Sequence, residues 1–368
     1  MPPKVSVVMP VYNGEKYLGA AIESILSQSF ADFEFLVIED GSTDGTLGVI
    51  QTFKDARIKL IRNDGNKGLT RSLNLGLKLA DGQYIARMDA DDINLRERFS
   101  TQVAFLDDHP EVGVLGTAVR FIDDMGNPDV LSYFPLDHEA ICWSMSFFQN
   151  PIAHPTVMFR RDTALQVNGY DDKLLVSQDY DLWSRLSAIT QLNNLHVELL
   201  HLRKHKDSIS KSNFLRQKDA SYQISREHIS RIYDIQLPER TISDACDAFW
   251  SPELASPDQV FGLAKYTQLL AAHILTNPST SPLGRINACH DACWRLKSLD
   301  QTLLPDFQKR QVRAWITWLE REIALDQKEK HLTLVEEEYN SRFIIKTVRS
   351  VRRIIKKLTP GNKNNRAI

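Results

Sequence analysis

Over residues 4–11 the chain is almost continuously apolar (KVSVVMPV), the pattern of a strand covered on both faces. Asn13-Gly14 breaks the run, and Tyr17, Leu18, Ala21, Ile22, Ile25 and Leu26 then recur at helical spacing. The alternation continues, predicting strands at 33–38, 57–61, 84–88 and 112–118 and helices at 46–53, 69–79 and 95–107. Strands and helices alternating through short connections predict right-handed crossovers and a doubly wound, mainly parallel α/β sheet. From 120 to 205 the pattern is mixed, with a hairpin tip at 123–127, a helix over 179–186 and a strand over 195–202. Beyond 215 the strand signals fade and the chain reads as helical, punctuated by Pro238, Pro252, Pro257, Pro278, Pro282 and Pro305. The expected division is an α/β domain over 1–212, a helical domain over 213–338 and a basic amphipathic tail over 339–368.

In a doubly wound sheet, ligands bind beyond the carboxyl ends of the strands, so the residues there carry the functional question. The first strand ends in Pro10-Val11-Tyr12-Asn13, the second in Glu39-Asp40-Gly41-Ser42-Thr43-Asp44 and the fourth in Asp89-Ala90-Asp91-Asp92. Three carboxylates within four residues repel one another unless a proton or a cation intervenes. Oxygen-only ligands at a strand end suit Mg²⁺ or Mn²⁺, which keep positions open for substrate phosphates. The competing reading is a solvated acidic turn capping the helix that starts near Leu95. A carboxylate at Glu39-Asp40 could accept from a base imide N–H and select uracil or thymine. Equally, the segment could form an Asx turn with Ser42 or Thr43 as a helix cap.

Taken together, VSVVMPVYNGEKYL, VIEDGSTDGT, NKGLTRSLNLGL and ARMDADD, in that order and spacing, resemble the family 2 inverting glycosyltransferases of GT-A fold over roughly residues 4–205. The resemblance implies a sugar donor activated as a nucleotide diphosphate, with UDP the expected carrier. On it, Asp40 reads uracil, Pro10 and Tyr12 lie near the nucleotide, and Arg71 lines the base or diphosphate. Asp89 and Asp91 match the two acids of the DXD motif: Asp91 ligates Mn²⁺ or Mg²⁺, Asp89 touches the ribose and the metal shell, and Asp92 supports them. VSQDYDLW resembles the family's acidic catalytic segment, with Gln178 in place of the usual Glu and Asp179 at the position of the catalytic base. On its own, Asp179 could equally cap the helix carrying Leu182, Trp183 and Leu186. His154, in HPT, resembles the stretch before the acceptor site; Arg203 and His205 resemble the end of the catalytic domain, where basic groups meet diphosphate. For both histidines a core or surface role competes with substrate contact.

Composition adds an asymmetry. The net charge is −2, which argues against nucleic acid as the partner. Residues 339–368 nevertheless carry nine Lys/Arg and no acid, leaving 36 basic against 47 acidic side chains in the first 338. Ile344, Val348, Val351, Ile355 and Leu358 form one apolar stripe at helical spacing, with basic residues around it over 342–358. That pattern fits a helix on an anionic membrane surface, or one docked on the acidic body. No run of 18 apolar residues is present, so no membrane-crossing helix is expected, and the N-terminus does not read as a signal peptide. The expected place is the cytoplasm, peripheral to the inner face of the plasma membrane, and the resemblance implies a lipid-linked glycan of a bacterial surface polysaccharide as acceptor. Two rivals remain: a nucleotidyltransferase-like enzyme, for which PVYNGEKYL offers too few glycines and basic groups, and a non-catalytic sugar-nucleotide-binding scaffold. Cys142, Cys246, Cys289 and Cys293 make no disulfide framework and read as buried helical thiols. Gln311-Val312-Arg313-Ala314-Trp315 mimics a processive-synthase signature at the wrong spacing and reads as an ordinary helix face.

Overall fold

A computed structural model describes residues 2–205, 213–277, 280–300 and 304–329. The basic amphipathic segment 342–358 lies outside the described residues. The chain divides into two compact units, Met1–Met145 with Gln149–Ile224, and Ser146–Phe148 with Ser225–Ile368.

In the first unit the elements run β1 (Val5–Val11), α1 (Leu18–Leu26), β2 (Phe33–Glu39), α2 (Thr46–Thr52), β3 (Ile58–Arg62), α3 (Leu69–Leu79), β4 (Tyr84–Arg87), β5 (Ile93–Asn94) and α4 (Arg98–Asp108). They continue with β6 (Val112–Ile122), β7 (Pro128–Ser132), α5 (His138–Met145), a 3-10 turn at His154–Thr156, β8 (Met158–Arg160), α6 (Arg161–Gln166), α7 (Gln178–Leu186) and β9 (Gln191–Arg203). The strands form one nine-stranded sheet in the order β3-β2-β1-β4-β8-β6-β9-β5, with β7 alongside β6. The first four are parallel neighbours, as the alternating pattern predicts. Beyond β4 the sheet is mixed: β8 runs antiparallel to both β4 and β6, and β9 lies parallel to β6.

Burial on both faces explains the unbroken apolar strands. Val5, Val7, Met9 and Val11 of β1 join Leu18, Ala21, Ile22 and Ile25 of α1 and Phe99, Val103 and Leu106 of α4 in one cluster. On the other face α3 comes so close that a Cβ on Gly76 would lie 2.3 Å from Val8 Cγ1. The helix after the acidic turn starts at Arg98 rather than near Leu95, because Ile93 and Asn94 pair with His201 and Leu200 of β9. β8 is only three residues long, too short for periodicity to reveal.

The second unit takes in α8 (Phe214–Tyr233) from residue 225, then α9 (Glu239–Trp250), α10 (Pro257–Thr276), α11 (Pro282–Asp300) and α12 (Asp306–Glu329). Ser256 begins α10 with a reciprocal capping box to Gln259. All four cysteines are buried thiols outside any disulfide. Trp315 of the decoy signature stacks on Phe261 within this unit, an ordinary helix face. Among the described residues, no helix is long and apolar enough to cross a membrane.

Candidate active site

Register sets the site. Val11 of β1 pairs with Glu39 of β2, and Val8 with Arg87 of β4. Asp40 and Asp89 therefore leave one sheet edge on either side of the Pro10–Tyr12 strand end. The turn after β1 ties the two sides together. Asn13 receives the Thr43 amide on Oδ1 at 2.9 Å and donates its own N–H to Ser42 Oγ at 3.0 Å. On the other side, a Cβ on Gly14 would sit 3.8 Å from that of Ala90. Pro10 is buried in β1, whereas Tyr12 is 48% exposed at the rim.

Asp40 is buried and organises the loop between β3 and α3. Its Oδ1 accepts from Asn63 Nδ2 at 2.6 Å and the Lys67 amide at 2.9 Å, and its Oδ2 from the Gly68 amide at 2.9 Å. A carboxylate has about four acceptor sites, so capacity for one more donor remains. Gly41 (φ +76°) follows because a Cβ there would lie 2.5 Å from the Gly65 carbonyl carbon. Neither Ser42 nor Thr43 caps α2; Gly45 stands at its N-cap without a side-chain cap, and the Asp44 carboxylate closes an Asx turn before it by accepting the Thr46 amide at 3.0 Å. Arg71 stands exposed in the first turn of α3.

Asp89, Asp91 and Asp92 bring carboxylate oxygens within 4.8 Å of one another. Asp89 is paired with Arg87, the last residue of β4, and Asp91 Oδ2 lies 2.8 Å from His205 Nε2. Asp92 is buried behind them: Oδ1 accepts the Arg203 amide at 2.8 Å, and Oδ2 has no hydrogen-bond partner. Burial and the two neighbouring aspartates push the Asp92 carboxyl well above the ordinary carboxylate range, and burial raises Asp89 as well. An orphaned buried oxygen beside two half-exposed carboxylates fits a hard divalent cation in its donor set.

Arg203 is buried and donates to backbone at three points: Nε to the Asp91 carbonyl at 2.9 Å, and Nη1 to those of Asp123 and Asp124 at 2.9 and 3.2 Å. Its guanidinium lies 4.6 Å from the Tyr17 ring, whose hydroxyl donates to Asp124 at 2.5 Å. Arg203 thus ties the β6–β7 hairpin tip to the acidic turn.

Asp179 sits in the first turn of α7, after Ser177 in the left-handed region (φ 57°). Its Oδ2 accepts from Asn150 Nδ2 at 2.7 Å and lies 3.9 Å from His154 Nδ1. Burial raises the Asp179 carboxyl above its ordinary value. The turn that carries His154 leads into Val157, whose carbonyl accepts the Arg87 amide at 3.1 Å, and the charges of Arg87 and Asp89 both act on Asp179. Asp181 points elsewhere, paired with Arg185 at 2.6 Å. His154 is buried, 2.9 Å from the Tyr170 hydroxyl, and burial together with Arg87 holds it well below its usual value, so it is neutral.

The structure therefore gathers Asp89, Asp91, Asp92, Arg203 and His205 in direct contact, sets Asp179 and His154 next to them through Arg87, and lines Pro10, Tyr12 and Asp40 along the same edge. Three participants escape sequence reasoning. Arg87 stands two residues before the acidic run, separated from it by Met88, and Tyr170 belongs to a Gly-Tyr-Asp turn. Asn150 belongs to an Asn-Pro pair that reads only as a turn signal.

Residues 6–168 match the sequence model described as "Glycosyl transferase family 2". EpsE of Bacillus subtilis (strain 168), which carries a glycosyltransferase designation, is 36% identical over 218 residues, 58% of this chain and 77% of that protein. The O-antigen biosynthesis glycosyltransferase WbnJ of Escherichia coli is 32% identical over 235 residues, 62% of this chain and 89% of that protein. The crystal structure of S. aureus TarS 1-349 in complex with UDP-GlcNAc superimposes with a TM-score of 0.52 at 20% identity, covering 89% of this chain and 92% of that one, a likeness of fold. With the motifs in order along a GT-A sheet and relatives matched over most of their length, the chain belongs to glycosyl transferase family 2.

Proposed function

We propose that the protein is an inverting glycosyltransferase that moves a sugar from a UDP-sugar to a hydroxyl of a lipid-linked glycan in bacterial surface polysaccharide synthesis. The observation carrying this reading is that the buried Asp179 lies 3.9 Å from His154, whose 3-10 turn leads into Val157, the residue whose carbonyl accepts the amide of Arg87, the ion-pair partner of Asp89. The acceptor oxygen bonds to the anomeric carbon as the bond from that carbon to the diphosphate oxygen breaks. Its proton passes to the Asp179 carboxylate, and the electron pair leaves with UDP. Attack from the face opposite the leaving group inverts the anomeric centre. A buried carboxyl with a raised pKa is a better base at neutral pH than an exposed one.

Asp89 and Asp91, backed by Asp92, would hold Mn²⁺ or Mg²⁺. When bound there, the cation neutralises charge on the departing diphosphate. Asp40 is suited to the uracil imide through its one remaining acceptor site, beside Pro10 and Tyr12; Arg71, exposed on α3, can reach the base or diphosphate from solvent. His205 serves the metal shell through Asp91. The likeness to the O-antigen biosynthesis enzyme WbnJ supports the polysaccharide setting, and the UDP-GlcNAc complex of TarS supports the UDP carrier. In this reading residues 1–212 form the catalytic domain and 342–358 hold it on an anionic membrane face, where the acceptor lies.

UDP release from UDP-sugars with Mn²⁺ tests the proposal. Asp179→Asn should abolish transfer, and Asp91→Ala should remove metal dependence together with activity. An Asp179→Asn variant that transfers like wild type would refute the base. Retained activity and metal dependence in Asp91→Ala would refute the metal site.

A further inference from the structure

We infer that Asn150 is a positioning residue for Asp179, its side-chain amide fixing one carboxylate oxygen so that the other faces the acceptor hydroxyl. The inference rests on Asp179 being the base. Among the described residues, Asn150 makes the only side-chain hydrogen bond to Asp179, Nδ2 to Oδ2 at 2.7 Å. The amide's orientation is decided by its other end, because Asn150 Oδ1 accepts from the Ile152 amide at 3.2 Å and so turns the NH₂ toward Asp179. The backbone there is held twice. Pro151 restricts Asn150 to extended conformations. The Pro151 carbonyl accepts from Asn194 Nδ2 at 3.2 Å, and the same amide also donates to the Pro135 carbonyl at 2.6 Å.

The chemistry explains why an amide stands here. A donor to the carboxylate favours its charged form, and a neutral one does so without adding a second cation that would blunt its basicity. The backbone amides of Asp179 and Tyr180 at the start of α7 also favour the charged carboxylate, but no other side chain among the described residues donates to it. Arg87 from β4 acts through space and is paired with Asp89, His154 is neutral at 3.9 Å, and Tyr170 turns its hydroxyl to His154. On its own helix, Asp181 is occupied by Arg185. Asn150 is thus the contact that sets which oxygen is free.

Two variants test this. Asn150→Ala removes the donor; Asn150→Asp keeps the shape and replaces the donor with an acceptor. UDP release is followed with Mn²⁺ and UDP-glucose, UDP-galactose or UDP-N-acetylglucosamine, and the fastest donor is used for every variant. Both variants should lose ~10–100-fold in kcat, as losses of orienting partners do. The donor KM should stay within about twofold, and the acid limb of the pH profile should move to higher pH. A purely structural role predicts a near-normal Asn150→Asp, and that result overturns the inference. If Asp179→Asn itself keeps turnover, the base assignment falls and this inference with it; if only the Asn150 variants behave as wild type, the inference alone falls. A measurement without substrate stands beside it. Asn150→Asp should lower the thermal midpoint more at pH 8 than at pH 5, and an Asp179→Ala background should erase that difference. Equal lowering at both pH values and in both backgrounds overturns the inference as well.

Discussion

At the residue scale, two aspartates show opposite signs of linkage. Asp55 is depressed to about 2, because the Arg57 side chain and its amide donate to it. Its contribution is therefore fully present above the unfolded value and is lost as pH falls toward 2. Asp55→Asn should cost about 1 kcal/mol at pH 7, the discount reflecting a partly exposed pair, with the cost fading in acid unfolding curves. Asp179 is raised by burial, so the native state holds its proton more tightly than the unfolded chain does. That contribution favours folding at low pH and is lost as pH rises through the raised value. Asp179→Asn should accordingly melt no lower than wild type at pH 8 while losing at least ~10²-fold in transfer, the scale of a missing general base. Stability and activity moving in opposite directions would mark a carboxylate kept for chemistry.

At the scale of elements, close approach between helix and sheet makes specific claims. Gly76 of α3 faces Val8 across 2.3 Å of hypothetical Cβ contact, so Gly76→Ala must push α3 outward. A loss of about 1–3 kcal/mol in chemical denaturation is expected, the range for overpacking. Phe99 of α4 is fully buried against β1 and edge-to-face with Phe33, and Phe99→Ala should cost about 3–5 kcal/mol. The same helices position chemistry. Asn74 of α3 donates to the Tyr170 carbonyl at 2.8 Å and accepts its amide at 2.9 Å, while Thr70 donates to the Leu174 carbonyl at 2.8 Å. The loop leading to Asp179 is thereby fastened to the helix that carries Arg71. Strands β1, β2 and β4 were legible as apolar runs buried throughout, and β3, none of whose residues is buried, by its place between two helical patterns. The two-residue β5 and three-residue β8 were not, since such short segments carry no period and exist only by pairing with strands distant in the chain.

At the scale of the whole molecule, charge and ligand binding make the predictions. Mn²⁺ at 100 times its Kd should stabilise the native protein by about 2.7 kcal/mol, read as a raised thermal midpoint, and Asp91→Ala should lose that response. Removing residues 340–368 should release the protein from anionic liposomes; unchanged binding would leave the basic segment without that role. The amino-acid sequence by itself determined the parallel half of the sheet, the acidic strand ends and the family, because apolar period and motif spacing are local properties of the chain. Tertiary structure alone decided that Asp179 lies against His154 with the Asp89 charge in electrostatic range, that Arg203 is a strut between the hairpin and the acidic turn, and that Asn150 holds the α7 carboxylate. Those relations join residues 29 to 112 positions apart, and only packing of strands and loops onto one sheet edge brings their polar atoms within hydrogen-bonding or electrostatic range.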